Sequence, residues 1–345
     1  VAASFSSKSE RDLVAVLRGL PHVPGGLVPV DLFASAEQHG LTGVLLDAWR
    51  ASGHALPPDL AARLDAMSIA RELDHAAHLA LLRRIDARFV QAGLDGVVLK
   101  GPLFAERYYA RPSTRSTSDL DLLVRAADLE RAGAVLEALG WRLAEDPDEA
   151  ARVQRDKHHL HYAHPEALPL ELHFRAYSGF GHVLPSEPLV ERRAPVPLAG
   201  FESLGVLAPE DELVFLAVHA GAHRFVRLAW LYDLKLLVEL MTQSQIVEAA
   251  RRAQAWGYGR LVSFAASLLV DVFGGPSQKL APLGHVGSLR APLVRRLVAE
   301  PRHPLLRSAT RFVYTTALCD DGAAALRYAV QASGDHARRL LRKTS

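Results

Sequence analysis

Asp119 and Asp121 stand two apart in Asp119-Leu120-Asp121-Leu122-Leu123-Val124, where charged and apolar residues alternate. That alternation predicts a half-buried strand. A period of two aims both carboxylates at one face and turns Leu120, Leu122 and Val124 to the other. Carboxylates held this close repel unless one is protonated or a cation lies beside them, and hard oxygen donors suit Mg²⁺ or Mn²⁺ better than zinc. Leu170-Glu171-Leu172-His173-Phe174 repeats the arrangement, so Glu171 and His173 share one face of a second strand and supply a third carboxylate. Such a set can hold a hard divalent cation.

Upstream, Val97-Val98-Leu99 reads as a short buried strand bounded by glycines, and Lys100-Gly101-Pro102 opens a helix over 103–109. Free amides at a helix start favour a phosphate, and Lys100 would add positive charge there. With Arg115 and Ser118 from the polar loop 111–118, Lys100 and Gly101 form the candidate nucleotide-binding set. Arg115 carries little weight alone, since 34 of the 40 basic residues are arginine.

The elements that must position these groups follow from the pattern along the chain. Ser9-Glu10-Arg11-Asp12 reads as an N-cap opening a short helix, and Pro57-Pro58-Asp59 opens a longer helical stretch. Its apolar stripe runs Leu60, Leu64, Met67, Ile69, Leu73, Ala76, Leu79, Leu82, Ile85, Phe89. Residues 128–139 read as a helix stopped by Gly140, followed by an acidic loop and then strands at 158–162 and 170–174. Pro209-Glu210-Asp211-Glu212 opens a further helical region, broken at Gly274-Gly275-Pro276. The expected architecture is α+β. A small mixed sheet in residues 94–206 lies between an N-terminal helical region, 1–93, and a C-terminal helical domain, 207–345.

With 345 residues, 49% hydrophobic and 23% charged, the chain can bury two or three packed units. A net charge of +2 argues against a long nucleic-acid partner. The single cysteine, Cys319, reads as a packed small hydrophobe. No uncharged run approaches the roughly 20 residues that span a bilayer, and residues 1–8 lack a basic segment leading into an apolar one, so the reading is a cytoplasmic chain without a membrane role.

Leu99-Lys100-Gly101, Tyr108, Arg111 or Arg115, Asp119-Leu120-Asp121-Leu122-Leu123-Val124 and Glu171-Leu172-His173 together resemble the bacterial, mostly uncharacterised nucleotidyltransferase family of the polymerase-β-like superfamily. The resemblance covers about residues 95–240, where His219, Leu228, Trp230 and Asp233 are similar to the family's C-terminal helices. It implies a short mixed sheet whose carboxylates hold two Mg²⁺ ions, with Asp119 and Asp121 as ligands and Glu171 completing the site and helping to activate an acceptor hydroxyl. Two departures stand out. Lys100-Gly101-Pro102 replaces the usual Gly-Ser or Gly-Gly, and proline removes an amide donor. Glutamate replaces the commoner aspartate at 171.

The expected activity is Mg²⁺-dependent transfer of NMP from an NTP to a hydroxyl of a small-molecule, sugar-phosphate or other acceptor. Two rivals are a glycosyltransferase using D-x-D to hold Mn²⁺ and a sugar nucleotide, and a catalytically silent nucleotide- or partner-binding module whose helical flanks contact a protein partner or a second copy. His173, His219, Trp230 and Asp233 are candidate substrate-pocket residues; Asp233 could instead hold a buried arginine, and Trp230 could be core. In the run His158-His159-Leu160-His161-Tyr162-Ala163-His164, His159 and His161 would share a strand face. A plain polar strand, a nucleotide-contacting face and a transition-metal site remain open there. His219 and His223 are spaced i, i+4, but Ala220 stands where H-E-x-x-H needs its glutamate, which excludes a zinc protease motif.

Overall fold

The computed structural model describes residues 7–20, 22–284 and 304–341. Its centre is a seven-stranded mixed sheet built from β1 (Gly96–Val98), β2 (Leu120–Leu123), β3 (Arg142–Leu143), β4 (His159–Ala163), β5 (Leu170–His173), β8 (Ala194–Pro195) and β9 (Leu204–Val206), in the order β3-β4-β5-β2-β1-β9-β8. Strands β2 and β5 are parallel, as are β1 and β9, whereas β1 with β2 and β4 with β5 are antiparallel. A separate hairpin pairs β6 (Tyr177–Gly179) with β7 (His182–Leu184). The α+β expectation holds.

The period-two reading of β2 holds as well. Leu120, Leu122 and Val124 enter one hydrophobic cluster with Leu160, Leu172 and Phe89, while Leu123 enters the other with Val97 and Leu99. The second of these clusters also contains Leu13 and Leu17 from the N-terminal helix Lys8–Gly19, together with the inner faces of the helices Pro209–Ala222, Leu228–Leu240 and Gly259–Phe273. The helical regions before and after the sheet in sequence therefore bury apolar surface against each other on the face that carries Asp121.

Several local expectations need correction. The first helix is capped by Ser7, not Ser9: Ser7 Oγ accepts from the Glu10 amide, and the Glu10 carboxylate accepts from the Ser7 amide. The stretch from Pro58 is one 35-residue helix, Pro58–Ala92, ended by Gly93 in the left-handed conformation. Its stripe is interrupted, with Ile69 and Leu73 exposed at 61% and 68%. The helix outruns either cluster: Leu60 and Leu64 pack in one, Leu79 to Phe89 in the other, and the middle spans the distance between them. The acidic loop after β3 contains a helix, Pro147–Asp156, begun by Asp146 accepting from the Glu149 amide and by Pro147 at its first position. Near the far end of the long helix, buried Asp86 accepts the amides of Glu202, Ser203 and Leu204 and so anchors the start of β9. Cys319 is buried, as expected of a packing residue.

Candidate active site

The register of the sheet creates the site. Asp121 pairs with Glu171 across β2 and β5, and Glu171 pairs with His161 across β5 and β4; one step along, Leu123, His173 and His159 form the next row. Because side chains opposite each other in neighbouring strands point the same way, Asp121, Glu171, His173, His159 and His161 all project from one face. His173 Nε2 lies 3.3 Å from Asp121 Oδ1 and 3.3 Å from Glu171 Oε2.

Lys100 closes the opposite side. Its Nζ is 3.3 Å from Asp119 Oδ2 and 3.1 Å from Asp121 Oδ2, so the cation lies between the two carboxylates of the D-x-D pair. Asp119 also accepts from Ser118 Oγ at 3.0 Å. Gly101 has φ +79°, which lets the chain turn sharply from β1 into the helix Pro102–Tyr108 and brings Lys100 back over Asp119.

These contacts set the charges. Burial would raise the Asp121 carboxyl, but Lys100 and His173 hold it below the usual carboxylate range. Glu171 behaves alike: burial opposes ionisation, and His173 with His159 outweighs it. Burial would depress His173, yet Asp121 and Glu171 push it up to about 9. Its neighbours go the other way. Burial, followed by the charge of His173, holds His158 down to about 2 and His159 down to about 4. At neutral pH the site thus has ionised carboxylates, a charged Lys100 and His173, and neutral imidazoles at its rim.

The donor set fits a hard divalent cation. Asp121 is 2% exposed, and its Oδ2 faces Lys100 Nζ at 3.1 Å. A buried carboxylate kept ionised beside two further carboxylates is an acceptor suited to a metal.

Arg115 is occupied elsewhere. Its guanidinium grips Asp233 through Nε, at 3.1 and 3.2 Å, and Nη2, at 2.8 Å, while Tyr109 donates to the same carboxylate at 2.7 Å. Asp233 therefore holds a buried arginine, one of the two roles read for it. Tyr108 donates to Glu212 at 2.8 Å, and Arg107 pairs with Glu212 as well. Arg111 binds Asp47 at 2.6 Å and Glu72 at 3.2 Å. Gly43 lets the helix Thr42–Ala51 press against the same loop, since a Cβ there would lie 2.7 Å from Thr114 Cα. These residues of the sequence pattern hold the loop before Asp119 between the N-terminal and C-terminal helices.

His219, His223 and Trp230 form an aromatic group, with ring centres 5.0 Å apart for the two histidines and 5.6 and 5.1 Å from each to the indole. Burial first, and then the charge of Lys100, holds both imidazoles below the usual range. Sequence reasoning left His159 and His161 unassigned and overlooked Glu145, which accepts from the His161 amide and ring. The signal for the histidines was their spacing of two on a predicted strand. Glu145 had none, because only the β3–β4 pairing brings it there.

The model of the family described as uncharacterised nucleotidyltransferase matches residues 29–274. The chain belongs to that family. The match takes in the N-terminal helices from Pro29 as well as the sheet and the helices through Phe273, the same elements that clamp the loop before Asp119. No curated protein and no solved structure matches the chain.

Proposed function

We propose that this nucleotidyltransferase moves NMP from an NTP to an acceptor hydroxyl with Mg²⁺, or Mn²⁺, held by Asp119, Asp121 and Glu171. The observation that carries the reading is the direct pairing of Asp121 with Glu171 across β2 and β5, with Asp119 two residues away and the Lys100 ammonium between the two aspartates. When bound, the metal would lower the pKa of the acceptor hydroxyl and offset the charge of the departing pyrophosphate. The chain's own groups then position the reactants. Lys100 moves from its carboxylate pair toward the phosphates, Ser118 and the Gly101 turn line the nucleotide side, and His173 keeps Glu171 ionised and fixed in orientation. Arg115 acts through Asp233, holding the loop that carries Ser118 and Asp119. His219, His223 and Trp230 form the wall where an acceptor would lie, supplied by the C-terminal helices.

A small-molecule acceptor agrees with the low net charge, which disfavours a long nucleic acid. No helix among the described residues is long and apolar enough to cross a membrane, and a reaction that consumes NTPs would suit the cytoplasm. The test is pyrophosphate release and label transfer from each of four α-labelled NTPs with Mg²⁺ and a pool of acceptors, for wild type and Asp121→Ala. Transfer that requires Asp121 supports the reading. Metal-dependent release of a nucleoside diphosphate from an added sugar nucleotide, with no transfer from the NTPs, would instead support the glycosyltransferase, and absence of nucleotide binding would support the silent module.

A further inference from the structure

The rim of the site carries a second constellation, of different chemistry. His159 and His161 present Nε2 atoms to each other at 3.2 Å. Glu171 Oε1 lies 3.9 Å from His161 Nε2, and ligand atoms of His159, His161 and Glu171 all fall within 4.8 Å of one another. A tetrahedral ion bound at zinc–nitrogen distances separates its donors by about 3.3 Å. The histidine pair already stands at that spacing, and the carboxylate is within a small side-chain adjustment of it.

A second observation points the same way. His161 Nδ1 lies 2.6 Å from Glu145 Oε1, whose carboxylate is 8% exposed and also accepts from the His161 backbone amide. An Nδ1–H donated to that carboxylate leaves Nε2 as a lone pair aimed at His159 and Glu171. This carboxylate–histidine arrangement fixes tautomer and ring orientation in metal sites. His161 is half exposed, so an ion can enter from solvent and keep an open coordination position.

We infer that His159 Nε2, His161 Nε2 and a Glu171 oxygen form a binding site for Zn²⁺ or a similar borderline-soft divalent ion, separate from the hard-cation site but sharing Glu171. Two imidazoles and one carboxylate select zinc over magnesium. The two oxygens of Glu171 face different ways: Oε1 toward His161, Oε2 toward His173 at 3.3 Å. Binding needs no redox step and no turnover, so its outcome is independent of the nucleotidyl-transfer reading.

The experiment is titration of the full chain with Co²⁺, followed by the visible absorption of low-coordinate cobalt, and then displacement by Zn²⁺. Wild type is expected to develop the band and lose it to zinc. His159→Asn and His161→Asn should each abolish it, Glu145→Gln should weaken binding about 10- to 100-fold, and Asp119→Asn should leave it unchanged. Zinc should also protect His161 of the wild type from carbethoxylation, read by peptide mass spectrometry, which requires no variant to fold. A band that survives the double replacement of His159 and His161, a band lost in Asp119→Asn, or His161 modified equally with and without zinc would overturn the inference.

Discussion

Asp121 and Glu171 are register partners across two parallel strands, and the imidazole of His173 lies at the same distance, 3.3 Å, from both carboxylates. Parallel pairing makes this relation rigid, since a slip of one residue would turn either carboxylate to the opposite face. Asp121→Asn keeps the shape and removes the charge. It should lower kcat/KM for NMP transfer by about a thousandfold, the loss expected when several kcal/mol of metal-mediated stabilisation disappear. Glu171→Asp should retain part of the activity, since a shorter carboxylate still offers a ligand. Pyrophosphate release by the two purified variants checks the order; equal activity of Asp121→Asn and wild type would rule out the metal role.

Lys100 neutralises Asp119 and Asp121 in the protein without metal. In Lys100→Met the buried Asp121 loses a counter-charge, and the metal-free fold should weaken by about 1–3 kcal/mol. Added Mg²⁺ should then raise the melting temperature of the variant more than that of wild type, because the ion relieves a repulsion that Lys100 otherwise relieves. Catalysis should fall about 10²- to 10³-fold if the ammonium also meets phosphate. Thermal melts with and without Mg²⁺ separate the two effects.

The sheet strands that carry carboxylates were legible because alternation is local: Leu120, Leu122 and Val124 announce the buried face, and Asp119 and Asp121 the other. Strand β9 was not, because Leu204-Gly205-Val206 is three residues long and its strand character comes from pairing with β1, about a hundred residues away in sequence. The same limit hid the role of Arg115. A bidentate grip on Asp233 joins a loop to a helix far along the chain, and no spacing rule connects positions so separated. The exposed Ile69 and Leu73 show the converse failure, in which a continuous periodic stripe predicts burial that a long helix passing between two clusters does not supply.

Asp233→Leu would leave the Arg115 guanidinium buried without its carboxylate, and Tyr109 without its acceptor. Breaking a buried pair on one side costs about 3–5 kcal/mol, whereas an apolar replacement of both partners is far milder. The double variant Arg115→Met, Asp233→Leu should therefore be more stable in urea than Asp233→Leu alone. If the single variant were the more stable, Asp233 would not be serving as the anchor of Arg115.

His39 supplies a pH dependence away from the carboxylate site. Its Nε2 is 3.2 Å from Glu10 Oε1, and its Nδ1 accepts the Leu228 amide at 3.3 Å, which requires the neutral ring. Burial first lowers its pKa, Glu10 partly offsets this, and Arg227 lowers it further. With a folded pKa below the unfolded value of about 6.5, the folded state binds fewer protons, so this contribution is complete above that pH and is lost as pH falls. Glutamine can donate to Glu10 and accept from Leu228 without titrating. Urea denaturation of His39→Gln between pH 7 and 5 should show a shallower fall in stability than wild type; parallel curves would exclude His39 as a source of the slope.

The aromatic group formed by His219, His223 and Trp230 suits binding more than chemistry, because its rings pack on one another and its imidazoles are held neutral by burial and by the charge of Lys100. His223 is exposed, and Trp230 is half-buried against the hydrophobic cluster, so thermal melts of each variant accompany the kinetics. His223→Ala and Trp230→Ala should raise KM for the acceptor several-fold while leaving KM for the NTP and kcat close to wild type, the pattern of an interaction made equally in ground and transition states. A rise confined to the NTP would move the group to the nucleotide side of the site, and a fall in kcat alone would mean that it positions Lys100 instead of the acceptor.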